Sequence, residues 1–91
     1  MKKGYINVME EIVSTLVTIL MMSPDYQIFC HCQKCRNDIT ALALNNLPSH
    51  YVTTQDGREY IFEQLNREEN RKWINKRIIA AIHVVGKYPK H

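Results

Sequence analysis

Glycine and proline are scarce in this chain, three of each among 91 residues. Phosphate-cradling loops need clustered glycines, so neither a P-loop nor a dinucleotide-binding turn is present. No nucleophile–base pairing pattern and no His-Glu-x-x-His helix occurs either, and enzymatic activity is not expected. Charge of one sign is also in short supply: the net value is only +3, far from the strongly basic face of most nucleic-acid-binding domains. A long apolar run is missing as well. Ile12 to Met22 is interrupted by Ser14, Thr15 and Thr18 and preceded by Glu10 and Glu11. It falls well short of the roughly 20 apolar residues that span a bilayer, and no small-residue cleavage site follows it. The chain therefore reads as cytoplasmic, not membrane-bound, with reduced thiols. Its three cysteines, odd in number and crowded into positions 30–35, do not make a disulfide framework.

What remains is ordinary globular material, 45% hydrophobic and 23% charged, of a length that fits one domain over residues 1–91. The spacing predicts a helix from about Tyr5 to Met22, with Val8, Ile12, Leu16, Ile19 and Leu20 as its apolar stripe. Ile6, Val13 and Val17 widen that stripe beyond one contact face, which favours cover from a second copy as well as from the chain itself. Ser23-Pro24-Asp25 stops the helix, because proline cannot continue its hydrogen-bond ladder. A second helix is predicted over Cys35–Asn46, with Ile39, Leu42, Ala43 and Leu47 inward. Tyr51 to Thr54 has extended character, without a convincing partner strand, and Asp56-Gly57 is a tight-turn signal. Arg58–Leu65 reads as a brief helix. A long last helix is predicted over Glu68–Val85, carrying Trp73, Ile74, Ile78, Ala81, Ile82 and Val85, with Gly86 and Pro89 closing it. The expected fold is all-α: a small bundle of three to four helices with a metal-binding loop between the first two.

Cys30-His31-Cys32-Gln33-Lys34-Cys35 is the most chemically informative segment. Zinc takes thiolates in a tetrahedral shell with bonds of roughly 2.3 Å, and ligands two or three residues apart in a tight turn can share one ion. A helix beginning at Cys35 would add its dipole to stabilise thiolate charge. Zn2+ is thus the expected cofactor, in a structural role. Cys32 and Cys35 alone would also suit a redox couple, but no βαβ pattern surrounds them. A closed site wants four ligands. His31 lies between two ligands and points away, His83 is the distant candidate, and Asp25, Asp38 and His50 are weaker ones. If the fourth position stayed open, three thiolates would donate too much charge to leave a good Lewis acid for hydrolysis.

The rest is less specific. From Arg58 onward there are eight Lys and Arg against four Asp and Glu. Arg67, Arg71, Lys72, Lys76 and Arg77 form a basic run that would meet an anionic partner or simply face solvent, with Glu68 and Lys72 placed for an i,i+4 pair.

From Cys35 to Thr54 the chain reads Cys-Arg-Asn-Asp-Ile-Thr-Ala-Leu-Ala-Leu-Asn-Asn-Leu-Pro-Ser-His-Tyr-Val-Thr-Thr. This segment, with the closing Ile-x-x-Ala pattern from Ile78 to His91, resembles the late competence protein ComFB family over nearly the whole chain. The resemblance implies a small helical homodimer that binds zinc through the cysteines. It implies a non-enzymatic regulatory or interaction role associated with late competence and DNA uptake. Related proteins are receptors for cyclic dinucleotides, cyclic di-GMP and cyclic di-AMP, which makes such a ligand an expected partner here. Arg36, Asp38 and Asn45, polar members of the motif, are the candidate contacts. The alternative is an accessory DNA-binding or DNA-uptake factor that uses the basic last third.

Overall fold

The computed structural model describes residues 4–87. Pro89 and His91, which the sequence motif includes, lie outside the described residues.

The chain opens with a two-residue strand, β1 (Ile6–Asn7), that leads directly into helix α1 (Val8–Met21). Asn7 makes the junction. Its side-chain oxygen accepts from the Met9 backbone N–H at 3.2 Å, the N-cap bond that satisfies a donor left open at a helix start, and from the His50 N–H at 2.8 Å. The Val8 N–H in turn donates to the His50 carbonyl at 2.8 Å. These bonds set Tyr51–Val52, strand β2, antiparallel to β1 with Ile6 opposite Val52. The extended segment at Tyr51 thus has a partner, and it precedes rather than follows. Residues expected in the first helix, Tyr5 to Asn7, belong to this ribbon and its approach.

Glu10 and Glu11 occupy the first turn of α1, where carboxylates complement the positive end of the dipole. Its core side is Val8, Met9, Ile12, Val13, Leu16, Val17 and Met21. Ile19, expected in the stripe, is 57% exposed. The helix ends where Ser23 hands over to a 3-10 turn at Pro24–Tyr26. The Gln27 amide reaches back to the carbonyls of Met21, Met22 and Ser23 at 3.2–3.4 Å, covering acceptors that a helix C-terminus leaves open.

Three further helices follow: α2 (Gln33–Asn45), α3 (Gln55–Leu65) and α4 (Glu68–Lys87). The expected tight turn at Asp56-Gly57 is instead the first turn of α3, because the Thr54 hydroxyl accepts from the Gly57 N–H at 3.0 Å and starts the helix. Helix α4 runs through Gly86 rather than stopping at Val85. Helix α2 packs against α4 and α1 against α2, with α3 against α1. The core between them is filled by Met9, Met21, Ile39, Ile74, Ile78 and Ile82, all under 2% exposed. Trp73, expected in this core, sits at its margin, 38% exposed. Among the described residues the architecture is mostly helical, as expected, with four α-helices and one added two-stranded ribbon. No described helix is long and apolar enough to cross a membrane.

Candidate metal centre

The segment between α1 and α2 is positioned from three directions. The 3-10 turn brings Tyr26 and Phe29 onto the far end of α4. Tyr26 and Phe29 stack, with ring centroids 6.1 Å apart, and both meet His83 edge-on at 6.0 and 5.7 Å. Gly86 makes room for this contact. A Cβ there would lie 2.5 Å from a ring carbon of Phe29, a distance that any side chain at position 86 would have to relieve. Phe29 immediately precedes Cys30, so the ring contact fixes where the first thiol enters the site.

The other anchor is the start of α2. Cys32, not Cys35, is the N-cap: its sulfur accepts from the Cys35 N–H at 3.4 Å, and its carbonyl accepts from the Arg36 N–H at 3.0 Å. Cys35 lies one turn into the helix and is buried against the core, whereas Cys32 is exposed and Cys30 half-buried. A cysteine in place of the usual Ser, Thr, Asp or Asn at an N-cap puts sulfur where the helix offers its unpaired N–H groups.

The three sulfurs lie within 4.8 Å of one another. An ion of zinc's size, with metal–sulfur bonds of roughly 2.3 Å, needs tetrahedral sulfur–sulfur edges of about 3.8 Å, so side-chain rotations of an ångström or less would close the shell. The thiol environments differ. Hydrogen bonding from the Cys35 backbone N–H, then from the Cys30 thiol, holds the Cys32 thiol below its usual range. Burial pushes Cys35 up to about 12, reinforced by its hydrogen bonds with Cys30 and Cys32. Without a metal, Cys35 is a neutral buried thiol beside an acidified exposed one. This donor set can hold a soft metal ion.

No other His, Asp or Glu among the described residues joins the sulfur group. His83 packs its ring against Tyr26 and Phe29 and serves as a wall of the loop. Its residue as a whole is exposed. The His31 ring nitrogen Nε2 donates to the Tyr26 carbonyl at 3.0 Å, holding the loop to the 3-10 turn. Asp25 is exposed in that turn, Asp38 pairs with Lys34 at 3.3 Å, and the His50 backbone is held at Asn7 and Val8.

Arg36, Asp38 and Asn45 do not converge. Arg36 lines a groove of about 460 Å3 between α1 and α2, together with Glu10, Ser14, Thr18, Gln33 and Thr40. At about 100° per residue, Asp38 and Asn45 point to nearly the opposite side of α2 from Arg36. Asn45 is the exposed last residue of that helix. The groove itself escaped the reading of the sequence. Its signal is a polar file at helical spacing, Glu10-Ser14-Thr18, facing a second one, Gln33-Arg36-Thr40.

No curated protein matches the chain. A solved structure of the late competence protein ComFB from Bacillus subtilis is similar at 27% identity, with a TM-score of 0.76, over 94% of this chain and 92% of that one. The family model for the late competence development protein ComFB matches residues 6–89. With its helices, its ribbon and nearly all of its length within that match, the chain belongs to the ComFB late competence development family.

Proposed function

We propose that this protein is a non-enzymatic regulatory or interaction module of late competence that holds a structural zinc ion through Cys30, Cys32 and Cys35 and acts as a homodimer in the cytoplasm. The observation that carries the metal reading is the clustering of three sulfurs within 4.8 Å across the start of α2. Bound there, the ion would tie the end of α1 to α2. It would supply no chemistry beyond that tie. Elemental analysis of the purified protein should give about one zinc per chain, the loading of a structural site. A protein that purifies with no metal and takes none up on zinc addition would overturn it.

Exposed apolar side chains support the dimer: Ile19 at 57%, Met22 at 71% and Phe62 at 38%, with Ile19 and Phe62 bordering a cleft over Ile12 and Leu16. Light scattering at high micromolar concentration should return twice the chain mass, and a strict monomer would remove this part of the reading. A cyclic dinucleotide is the ligand expected from the family resemblance. Arg36 in the α1–α2 groove is the candidate phosphate contact, since guanidinium groups suit phosphate geometry. Calorimetry with cyclic di-GMP and cyclic di-AMP should show micromolar binding that is weakened by Arg36→Ala, and no heat with either ligand rejects it. The DNA-binding alternative draws less support. In its basic run Lys72 pairs with Glu68 at 3.4 Å and Arg71 donates to Asn66, so part of the run's charge is already engaged within the chain. Steeply salt-dependent binding in a mobility-shift titration would revive it.

A further inference from the structure

Two of the three thiols have a relationship that metal binding alone does not demand. Cys32 is exposed at the N-cap of α2, and Cys35 is buried one turn later with only 2% of its surface reachable. Residues separated by one helical turn have Cα atoms about 5–6 Å apart, inside the roughly 4.4–6.8 Å that a disulfide spans. The turn between them is already closed, by the Cys35 N–H on the Cys32 sulfur at 3.4 Å and the Arg36 N–H on the Cys32 carbonyl at 3.0 Å. The two sulfurs already lie within 4.8 Å of each other, a gap on the scale of side-chain rotation. Cys30 is a poorer partner for either. It lies two residues before Cys32 in non-helical chain, where a short bridge strains the backbone, and its position is set by Phe29 on α4.

We propose that Cys32 and Cys35 form a peroxide-sensitive thiol pair in which the exposed sulfur meets the oxidant and the buried one closes a disulfide. Cys32 sulfur attacks the O–O bond of a hydroperoxide, taking one oxygen to become a sulfenic acid, while the other oxygen leaves as water or alcohol. Cys35 sulfur then attacks the Cys32 sulfur and expels that oxygen as water, which carries off the Cys35 thiol proton. The two thiols lose two hydrogens and two electrons, and the peroxide gains them. In the metal-loaded protein the disulfide withdraws two of the three sulfur ligands, so the ion is released as the bond forms. The pair extends the metal reading without depending on it, because the same bond is available to the metal-free chain.

The test is a hydrogen peroxide titration of the purified protein, metal-loaded and metal-free, with the metal content measured beforehand. Peptide mass mapping should show a Cys32–Cys35 disulfide, reversed by dithiothreitol, and in the loaded protein a chromogenic chelator should register ion release in step with it. Cys30→Ser should still form the bond, and Cys35→Ser should leave a sulfenic acid on Cys32 that dimedone traps. A bridge through Cys30, an intermolecular bridge, progression of wild-type Cys32 to sulfinic acid, or thiols that survive excess peroxide in the metal-free chain would each overturn the proposal. Absence of metal at the start speaks only to the zinc reading, since the metal-free arm still reads the thiol pair.

Discussion

Burial separates Cys35 from the other thiols, and its consequence can be measured. In the metal-free protein its thiol is pushed up to about 12, so it is protonated throughout the neutral range, and binding a metal must displace that proton. Affinity for zinc should therefore rise with pH through the neutral range and beyond it, because the metal displaces this proton at every pH below the thiol's own value of about 12. Calorimetry in two buffers of different ionisation heat should register proton release on binding. Equal heats in both would mean that Cys35 does not coordinate. Cys35→Ser should abolish stoichiometric zinc loading while circular dichroism remains helical, and a loaded Ser variant would contradict the assignment. At this scale the sequence was clear where chemistry is concentrated. Three cysteines within positions 30–35 are enough by themselves to mark a cluster that could hold a metal ion. It was unclear where the motif was merely polar. Arg36, Asp38 and Asn45 are close in sequence, but helical rotation sends Arg36 away from the other two, something their spacing could have disclosed. As a histidine on the last helix His83 is a candidate ligand by sequence, whereas its ring is occupied with Tyr26 and Phe29.

Among the elements, the junction of α4 with the metal loop is the most sharply testable. Gly86→Ala should gain about 0.5–1 kcal/mol of helix propensity and lose about 1–3 kcal/mol to overpacking, since the added Cβ meets the Phe29 ring at 2.5 Å. Net destabilisation is expected in the wild-type background and stabilisation in a Phe29→Ala background. Thermal melts of the four proteins would show this reversal of sign, and the same sign in both backgrounds would refute the contact. Asn7→Ala removes the acceptor for both Met9 and His50 and should cost about 1–2 kcal/mol by the usual value of an N-cap. Asn7→Asp should keep most of that stability, and an Ala variant that melts like wild type would show the junction to be dispensable. Helices α1, α2 and α4 were legible because apolar residues recur every three to four positions. The ribbon was not, because Ile6 and Val52 pair across the length of two helices and a two-residue strand has no periodicity to detect. Start signals also compete. Asp56-Gly57 reads as a turn in isolation, yet Thr54 in front of it supplies the cap that makes a helix.

For the molecule as a whole, stability rests on one continuous core shared by the α1, α2 and α4 helices. Ile78 is fully buried in it, and Ile78→Ala should cost about 2–5 kcal/mol, much of the total for a domain of this size. A urea midpoint that hardly moves would show that the core lies elsewhere. The overall plan of three to four helices with a cysteine loop after the first could be read from the sequence, since it follows from hydrophobic period, proline and cysteine. What sequence could not supply is how the far end of the chain returns to the loop, because a glycine's vacancy is visible only once the ring that fills it is in place. That vacancy has a temporal consequence. Chains emerge from the ribosome at about 5–20 residues per second, so Phe29 is made several seconds before Gly86 exists to receive it. During synthesis the cysteine segment is therefore an open, unclasped stretch. Its final shape becomes available only once Gly86 has been made and has met the Phe29 ring.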